Sequence, residues 1–114
     1  MSAPLATPPV TFTRCEPKGY HEVRLGPHLV GVISPREQVA EAERPSKDGA
    51  FYWRLTIDMD RPPRNVPARS LQAAKVALLH ELAKFYSRVP YCEHLTVAVT
   101  KLSHEEAAAE REMG

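Results

Sequence analysis

The chain has 114 residues, a length typical of one domain, so we expect a single hydrophobic core. Hydrophobic residues make up 43% and charged residues 25%, a composition that fits a soluble globular protein and excludes wholesale disorder. Lys and Arg number 15 and Asp and Glu 14, and the resulting net charge of +1 excludes both a histone-like polycation and an acidic tail protein. A partner attracted by charge would therefore have to bind a local patch.

The cysteine count and the N-terminal residues narrow the class of protein further. Two cysteines, Cys15 and Cys92, exclude a multi-disulfide framework and an all-cysteine zinc site, and we expect both to be free thiols. No apolar run approaches the roughly 18 residues that would span a bilayer. Residues 1–13 carry no charged side chain and lack the pattern of a secretory signal. We therefore predict a cytoplasmic protein with a disordered leader over 1–13, one domain over 14–102 and a fraying C-terminal helix or tail over 103–114.

The first predicted elements are strands. Residues 10–14 are a candidate edge strand whose pairing the sequence leaves open. Residues 20–25 alternate polar and apolar side chains and lead through Gly26-Pro27 into the apolar run 29–33. Gly and Pro suit the two central positions of a type II′ turn, so this region is predicted to be a hairpin with a two-residue loop.

A helix-start signature follows the hairpin at Ser34-Pro35-Arg36-Glu37, with a hydroxyl at the N-cap and proline at the first helical position. Pro45 would end the helix. Few apolar side chains lie in between, so residues 34–44 are predicted to form a short solvated helix or a loop with helical turns, outside the core.

The strongest patterns come next. Phe51, Trp53, Leu55 and Ile57 alternate with polar residues, which predicts a strand with one buried face. After Ser70, a good N-cap, apolar residues recur at three- and four-residue steps as far as Pro90, which predicts an amphipathic helix of about four turns. The helix should cover the Trp53 face of the sheet.

The C-terminal region is predicted to form one more strand and then a helix. Leu95, Val97 and Val99 alternate with more polar residues, which is typical of a strand, and Ser103 begins a second capping pattern. The predicted fold class is α+β, with an antiparallel sheet of three to five strands and one main helix packed on one face.

A basic segment provides the main functional lead. Residues 61–88 hold six basic residues and one acidic residue, and Arg61, Arg64 and Arg69 lie in a proline-rich loop that leads into the main helix. Guanidinium groups beside the free N–H groups of a helix start suit a phosphate or a carboxylate. The alternative is that these arginines only solubilise the loop or pair with nearby acids. Lys75, on the same helix, joins the candidate anion-binding residues, although a lysine at a helix edge is also typical of simple snorkelling.

Other polar residues support further hypotheses. Tyr52 and Arg54 from one predicted strand and His94 from another would share the outer face of the sheet, where they could stack on bases or form a homodimer interface. Cys92 and His94 would share a strand face, but one pair does not make a metal site or a catalytic dyad, so no metal, cofactor or catalytic residue is predicted.

Two resemblances rest on particular residues. Ser70 followed by Ala74-Lys75 resembles the start of the last helix of double-stranded-RNA-binding domains, where basic residues at this position touch phosphates. That likeness implies a phosphate-contacting role for Lys75. The run 31–33, the strand around Trp53 and the same helix start resemble small uncharacterised bacterial proteins, often prophage-associated, with a strand-strand-strand-helix order. This second likeness implies a fold and no activity.

The sequence as a whole therefore favours a small non-enzymatic binding or accessory module whose basic loop contacts nucleic acid or an acidic protein surface. The alternative is a structural protein that self-associates through an exposed sheet face or edge. We predict no membrane partner, and no small-molecule substrate is identified.

Overall fold

The computed structural model of the chain describes residues 10–40, 42, 49–57, 64–90 and 92–113. The elements in chain order are β1 (Val10–Cys15), β2 (Tyr20–Leu25), β3 (His28–Pro35), a 3₁₀ turn (Arg36–Gln38), β4 (Phe51–Leu55), β5 (Val66–Ala68), α1 (Leu71–Ser87) and α2 (Glu93–Met113). Arg61 and the other residues of the basic loop before position 64 lie outside the described residues. The predicted α+β class is confirmed.

The sheet is an antiparallel meander in which the spatial order of the strands is their chain order, β1 to β5. Residues 10–14 do pair, within β1, at one edge of the sheet, so positions 10–13 of the predicted leader belong to the fold, and positions 1–9 lie outside the described residues. Strands β2 and β3 form the predicted hairpin: Leu25 pairs with His28, and Gly26 has the positive φ of 60° that the turn requires. The register shifts between Val23 and Arg24, where a bulge interrupts the ladder.

The core lies between one face of the sheet and α1, as the alternation in β4 predicts. Trp53 pairs with Ile33 on one side and Val66 on the other, and it is 7% exposed. Leu78 and Leu82 of α1 are fully buried in the same cluster. Each such side chain contributes about 1.5–3 kcal/mol before the entropy of ordering is subtracted, so this layer dominates the stability of the fold.

Helix α1 begins where the sequence predicts. Ser70 has extended backbone angles, and its Oγ accepts a hydrogen bond from the Ala73 N–H at 3.0 Å. This side chain thereby satisfies one of the N–H groups left free at a helix start. The helix ends at Ser87, three residues before Pro90, so both of its predicted limits are confirmed.

The predicted last strand is wrong, because this region is the first part of α2. The N–H groups of Leu95 and Thr96 both donate to the Cys92 carbonyl and start the helix there. Leu95, Val99 and Leu102 recur at helical spacing and pack against the core, whereas Val97 is exposed. Leu95, Val97 and Val99 fit the alternation of a strand, but Leu95 and Val99 also belong to the apolar face of a helix. The helix forms because that face packs against α1.

The predicted boundary between residues 102 and 103 is also absent. Ser103 is buried within α2 and does not start a helix; its Oγ donates to the Val76 carbonyl of α1 at 3.5 Å. The predicted fraying segment is therefore the second half of a helix docked on α1.

The helix predicted over 34–44 is reduced to a single 3₁₀ turn. Strand β3 continues through Pro35, and no side chain caps the turn that follows. Ser34 and Pro35 pair with β4, so they are extended and cannot serve as the start of a helix. Val39, expected outside the core, is buried. Positions 41, 43 and 44 of this prediction lie outside the described part of the chain.

Candidate anion-binding site

The N-terminus of α1 is the structural centre of the candidate site. Arg69 directly precedes the cap residue Ser70, and the first turn of the helix contains no acidic residue of its own. The positive end of the helix dipole is therefore not offset by a carboxylate from within α1. Any compensating charge must come from elsewhere in the fold.

That charge comes from the C-terminal half of α2, which runs antiparallel to α1. Arg69 Nε donates to Glu110 Oε1 at 3.1 Å, and a second guanidinium nitrogen bonds the same oxygen. One turn further along α1, Gln72 Nε2 donates to the Glu106 carbonyl oxygen at 3.1 Å and also to its carboxylate. Two acidic side chains near the end of α2 thus lie beside the start of α1, where the helix dipole favours negative charge.

A groove of about 740 Å³ opens between these two helix ends. Its lining residues are Arg69, Ser70, Leu71, Gln72, Ala107, Glu110 and Arg111. Arg69, Arg111 and the first turn of α1 therefore line one concave surface together with Glu110. The arrangement can bind a carboxylate or a phosphate through charge-assisted hydrogen bonds.

The predicted anion-binding residues do not all meet in this groove. Arg64 is exposed just before β5, and Arg69 lines the groove, but Arg61 lies outside the described residues. Lys75 instead lies over the ring of Phe12 on β1, with its Nζ 4.9 Å from the ring centroid. Arg69 and Lys75 therefore belong to different surfaces.

Arg111 is the basic lining residue that the sequence analysis missed. It lies in the segment predicted to fray, so no local pattern singled it out. The only available signal was the capping pattern at Ser103, which indicated helix without indicating where that helix docks. Its place beside Arg69 follows from the antiparallel packing of α2 on α1.

The predicted contact patch on the outer face of the sheet is not formed. Tyr52 is only 1% exposed, and its Oη accepts a hydrogen bond from the Gly49 N–H at 3.4 Å. A buried ring cannot stack on a base. His94 lies in α2 and not on a neighbouring strand, while Arg54 remains exposed on β4. Tyr52, Arg54 and His94 therefore do not form one exposed surface, because Tyr52 is buried and His94 belongs to a helix.

A hydrogen-bonded cluster occupies the outer face of β1 and β2. The Cys15 thiol donates to Glu22 Oε1 at 3.2 Å, and Arg24 forms an ion pair with the other carboxylate oxygen. The hydrogen bond to Glu22 and then burial raise the pKa of Cys15, and bonds from Cys15 and Arg24 lower the pKa of Glu22. The cluster keeps the thiol protonated, so it disfavours nucleophilic chemistry at Cys15.

The described part of the chain contains no disulfide, no grouped metal ligands and no membrane-spanning helix. Cys15 and Cys92 are free thiols, as expected. Within the described ranges, no three His, Cys, Asp or Glu side chains are grouped to hold a metal ion. Of the helices in those ranges, neither combines the length and the apolar character that crossing a bilayer requires.

Comparison of the chain with protein-family models, with curated proteins and with solved structures finds no match. The arguments on function below therefore rest on the geometry and charge of the chain itself.

Proposed function

We propose that the protein is a small non-enzymatic binding module that contacts an anionic partner through the groove at the start of α1. The observation that carries the proposal is the pairing of Arg69 and Arg111 on one concave surface beside a helix N-terminus without its own acid. Arg64, exposed a few residues upstream, extends the basic surface.

The Arg69–Glu110 ion pair is one in which an external anion could replace Glu110 as the partner of Arg69. The Arg69 side chain is 79% exposed, and that of Glu110 is 19% exposed. Because the Arg69 side chain is largely exposed, solvent screens its attraction to Glu110, and an incoming phosphate or carboxylate can compete for the guanidinium group. Glu110 thus acts as an internal competitor for the same guanidinium group.

The test is a binding titration with a fluorescently labelled oligonucleotide at about 50 mM and about 200 mM salt. The triple variant R64Q/R69Q/R111Q is expected to bind at least about tenfold more weakly and with a smaller salt dependence. The charge-matched control replaces three exposed basic residues away from the groove, K84Q/R88Q/K101Q, and should retain most of the binding.

A substitution of Glu110 provides an independent check, because it should raise the affinity that the arginine substitutions lower. Removing the competing charge in E110Q should strengthen binding of the same oligonucleotide. Absence of binding at low salt to both this oligonucleotide and a polyglutamate peptide, or equal binding by the wild type and the triple variant, would remove the proposal. A polyglutamate peptide replaces the oligonucleotide in a second series, and tighter binding of one probe assigns the class of partner.

A second candidate function, self-association, is favoured by the exposed edge of β1. No strand in the described part of the chain pairs with its outer side, and Thr11 and Thr13 are exposed there. The measurement is the solution mass at high protein concentration. A dimer that T11K/T13K dissociates supports association through this edge, whereas a monomer excludes it.

A further inference from the structure

A second group of basic side chains lies on the helix-facing side of β1 and β2. In this strand pair Arg14 lies opposite His21, and Phe12 lies opposite Val23. Paired residues, and residues two apart along a strand, project from the same face of a sheet. Val23 is fully buried in the core. Arg14 and His21 therefore project from the face that α1 covers.

Lys75 of α1 reaches the same place. Its Nζ lies 4.9 Å from the centroid of the Phe12 ring. Arg14 follows Phe12 about 7 Å further along β1, and His21 lies about 5 Å across the strand pair from Arg14. Arg14, His21 and Lys75 thus converge at one edge of the helix–sheet interface, which we call the β1–α1 corner.

His21 has an unsatisfied polar atom in this corner. Its Nδ1 is buried and has no hydrogen-bond partner. Buried polar side-chain atoms are normally paired, and an imidazole ring carries two nitrogens that each form a hydrogen bond. Since this atom is closed to solvent, no ligand atom reaches it in this arrangement, and the ring has no hydrogen bond at Nδ1 that would hold it in one charge state.

The charges of the corner favour an anion. Among the described residues, no carboxylate forms an ion pair with Lys75. Arg14 Nε lies 2.7 Å from Glu16 Oε1, but the two side chains are 65% and 64% exposed, so solvent screens this pair. Arg14 has five N–H donors and retains others for a ligand.

The titration of His21 reports on the same surroundings. Burial first, and then the charges of Lys75 and Arg14, lower the pKa of His21, while Glu16 acts in the opposite direction. These are the charged groups near His21 from α1, from β1 and from the turn after β1. A bound anion would offset both repulsions and favour the protonated ring.

We propose that Arg14, His21 and Lys75 bind a phosphate group, with the protonated His21 ring and the other two side chains supplying positive charge. Binding of the phosphate dianion takes up a proton when the ring starts neutral, so the affinity for the dianion rises as the pH falls towards the pKa of His21. None of these residues lines the groove of the proposed function, so the two sites can be tested separately.

The experiment follows histidine ring resonances by NMR while sodium phosphate replaces chloride at constant ionic strength, between about pH 5 and pH 8. Loss of a signal in H21Q assigns His21 among the five histidines. We expect saturable shifts at His21, a rise in its pKa with phosphate, and about tenfold weaker binding in K75Q and in R14Q. K84Q, the same change at an exposed position of α1, should leave the affinity unchanged.

The titration is repeated with the variant R69Q/R111Q, which lacks the two groove arginines but keeps the β1–α1 corner. Phosphate binding at the corner should persist in this variant even if the proposed function of the groove fails. A nucleoside monophosphate distinguishes the source of the phosphate: tighter binding than inorganic phosphate assigns an ester, and equal binding assigns the free ion. Shifts that do not saturate, an unchanged His21 pKa, or equal affinities of K75Q and K84Q would overturn the proposal.

Discussion

At the scale of single residues, α1 lies close against the backbone of the sheet at Gly31. A Cβ atom at this position would lie 2.7 Å from Leu78 Cδ1 and 3.1 Å from the Arg54 carbonyl oxygen. The backbone oxygen cannot move without disturbing the pairing of β3 with β4. Glycine is therefore required here by the packing of α1 on the sheet.

The substitution G31A is expected to lower the free energy of unfolding by about 1–3 kcal/mol, because the added methyl group overpacks a well-filled interface. Urea denaturation at neutral pH measures the change. In the double variant G31A/L78A the cost of L78A should be smaller than in the wild type, since the truncation makes room for the methyl group. Additive effects of the two substitutions would contradict this account.

Residue-scale contacts were the part of the site least accessible to sequence reasoning. Arg69 was a candidate because it is basic and precedes a helix cap, and the structure does place it at the start of α1. Its partner Glu110 lies 41 positions away, beyond any local pattern. Lys75 was grouped with Arg69 by proximity in sequence, but α1 directs it towards Phe12 instead.

At the scale of elements, the two helices show when a periodic pattern is decisive. The stripe of α1 extends over more than four turns, is capped by Ser70, and predicts the helix correctly. The corresponding signal in α2 is ambiguous, because Leu95, Val97 and Val99 fit a strand while Leu95, Val99 and Leu102 fit a helix. Only burial distinguishes the two assignments.

Val97 and Val99 provide a matched pair that tests the assignment of α2. Val99 is 1% exposed and Val97 is 68% exposed. We expect V99A to lower the free energy of unfolding by about 1–3 kcal/mol and V97A to change it by less than about 0.5 kcal/mol. On a strand both side chains would share one face, so equal losses in chemical denaturation would contradict the helix.

At the scale of the whole molecule, α2 completes the structure by packing along α1. Leu79 and Ala83 of α1 are buried, and Val99 of α2 belongs to the same core cluster. The polar contacts Ser103–Val76 and Gln72–Glu106 fix the alignment of the two helices. The C-terminal 21-residue helix is therefore part of the single folded unit.

Removal of residues 93–114 should consequently abolish cooperative unfolding, because it exposes the second apolar face of α1 to water. Near-ultraviolet circular dichroism of Trp53 and calorimetry provide the measurements. A control that removes only residues 111–114 should unfold with nearly the wild-type midpoint. A cooperative transition of unchanged midpoint in the longer truncation would show that α2 is dispensable.

The sequence by itself determined the α+β class, the β2–β3 hairpin, the buried Trp53 strand and the limits of α1. Each of these depends on signals between near neighbours: alternation in a strand, helical spacing, a cap hydroxyl or a turn glycine. Only the tertiary structure decided that the C-terminal residues form a docked helix, that Tyr52 is buried, and that Arg111 and Glu110 meet Arg69. These outcomes depend on which surfaces pack together, and a short-range pattern carries no information about a partner many residues away.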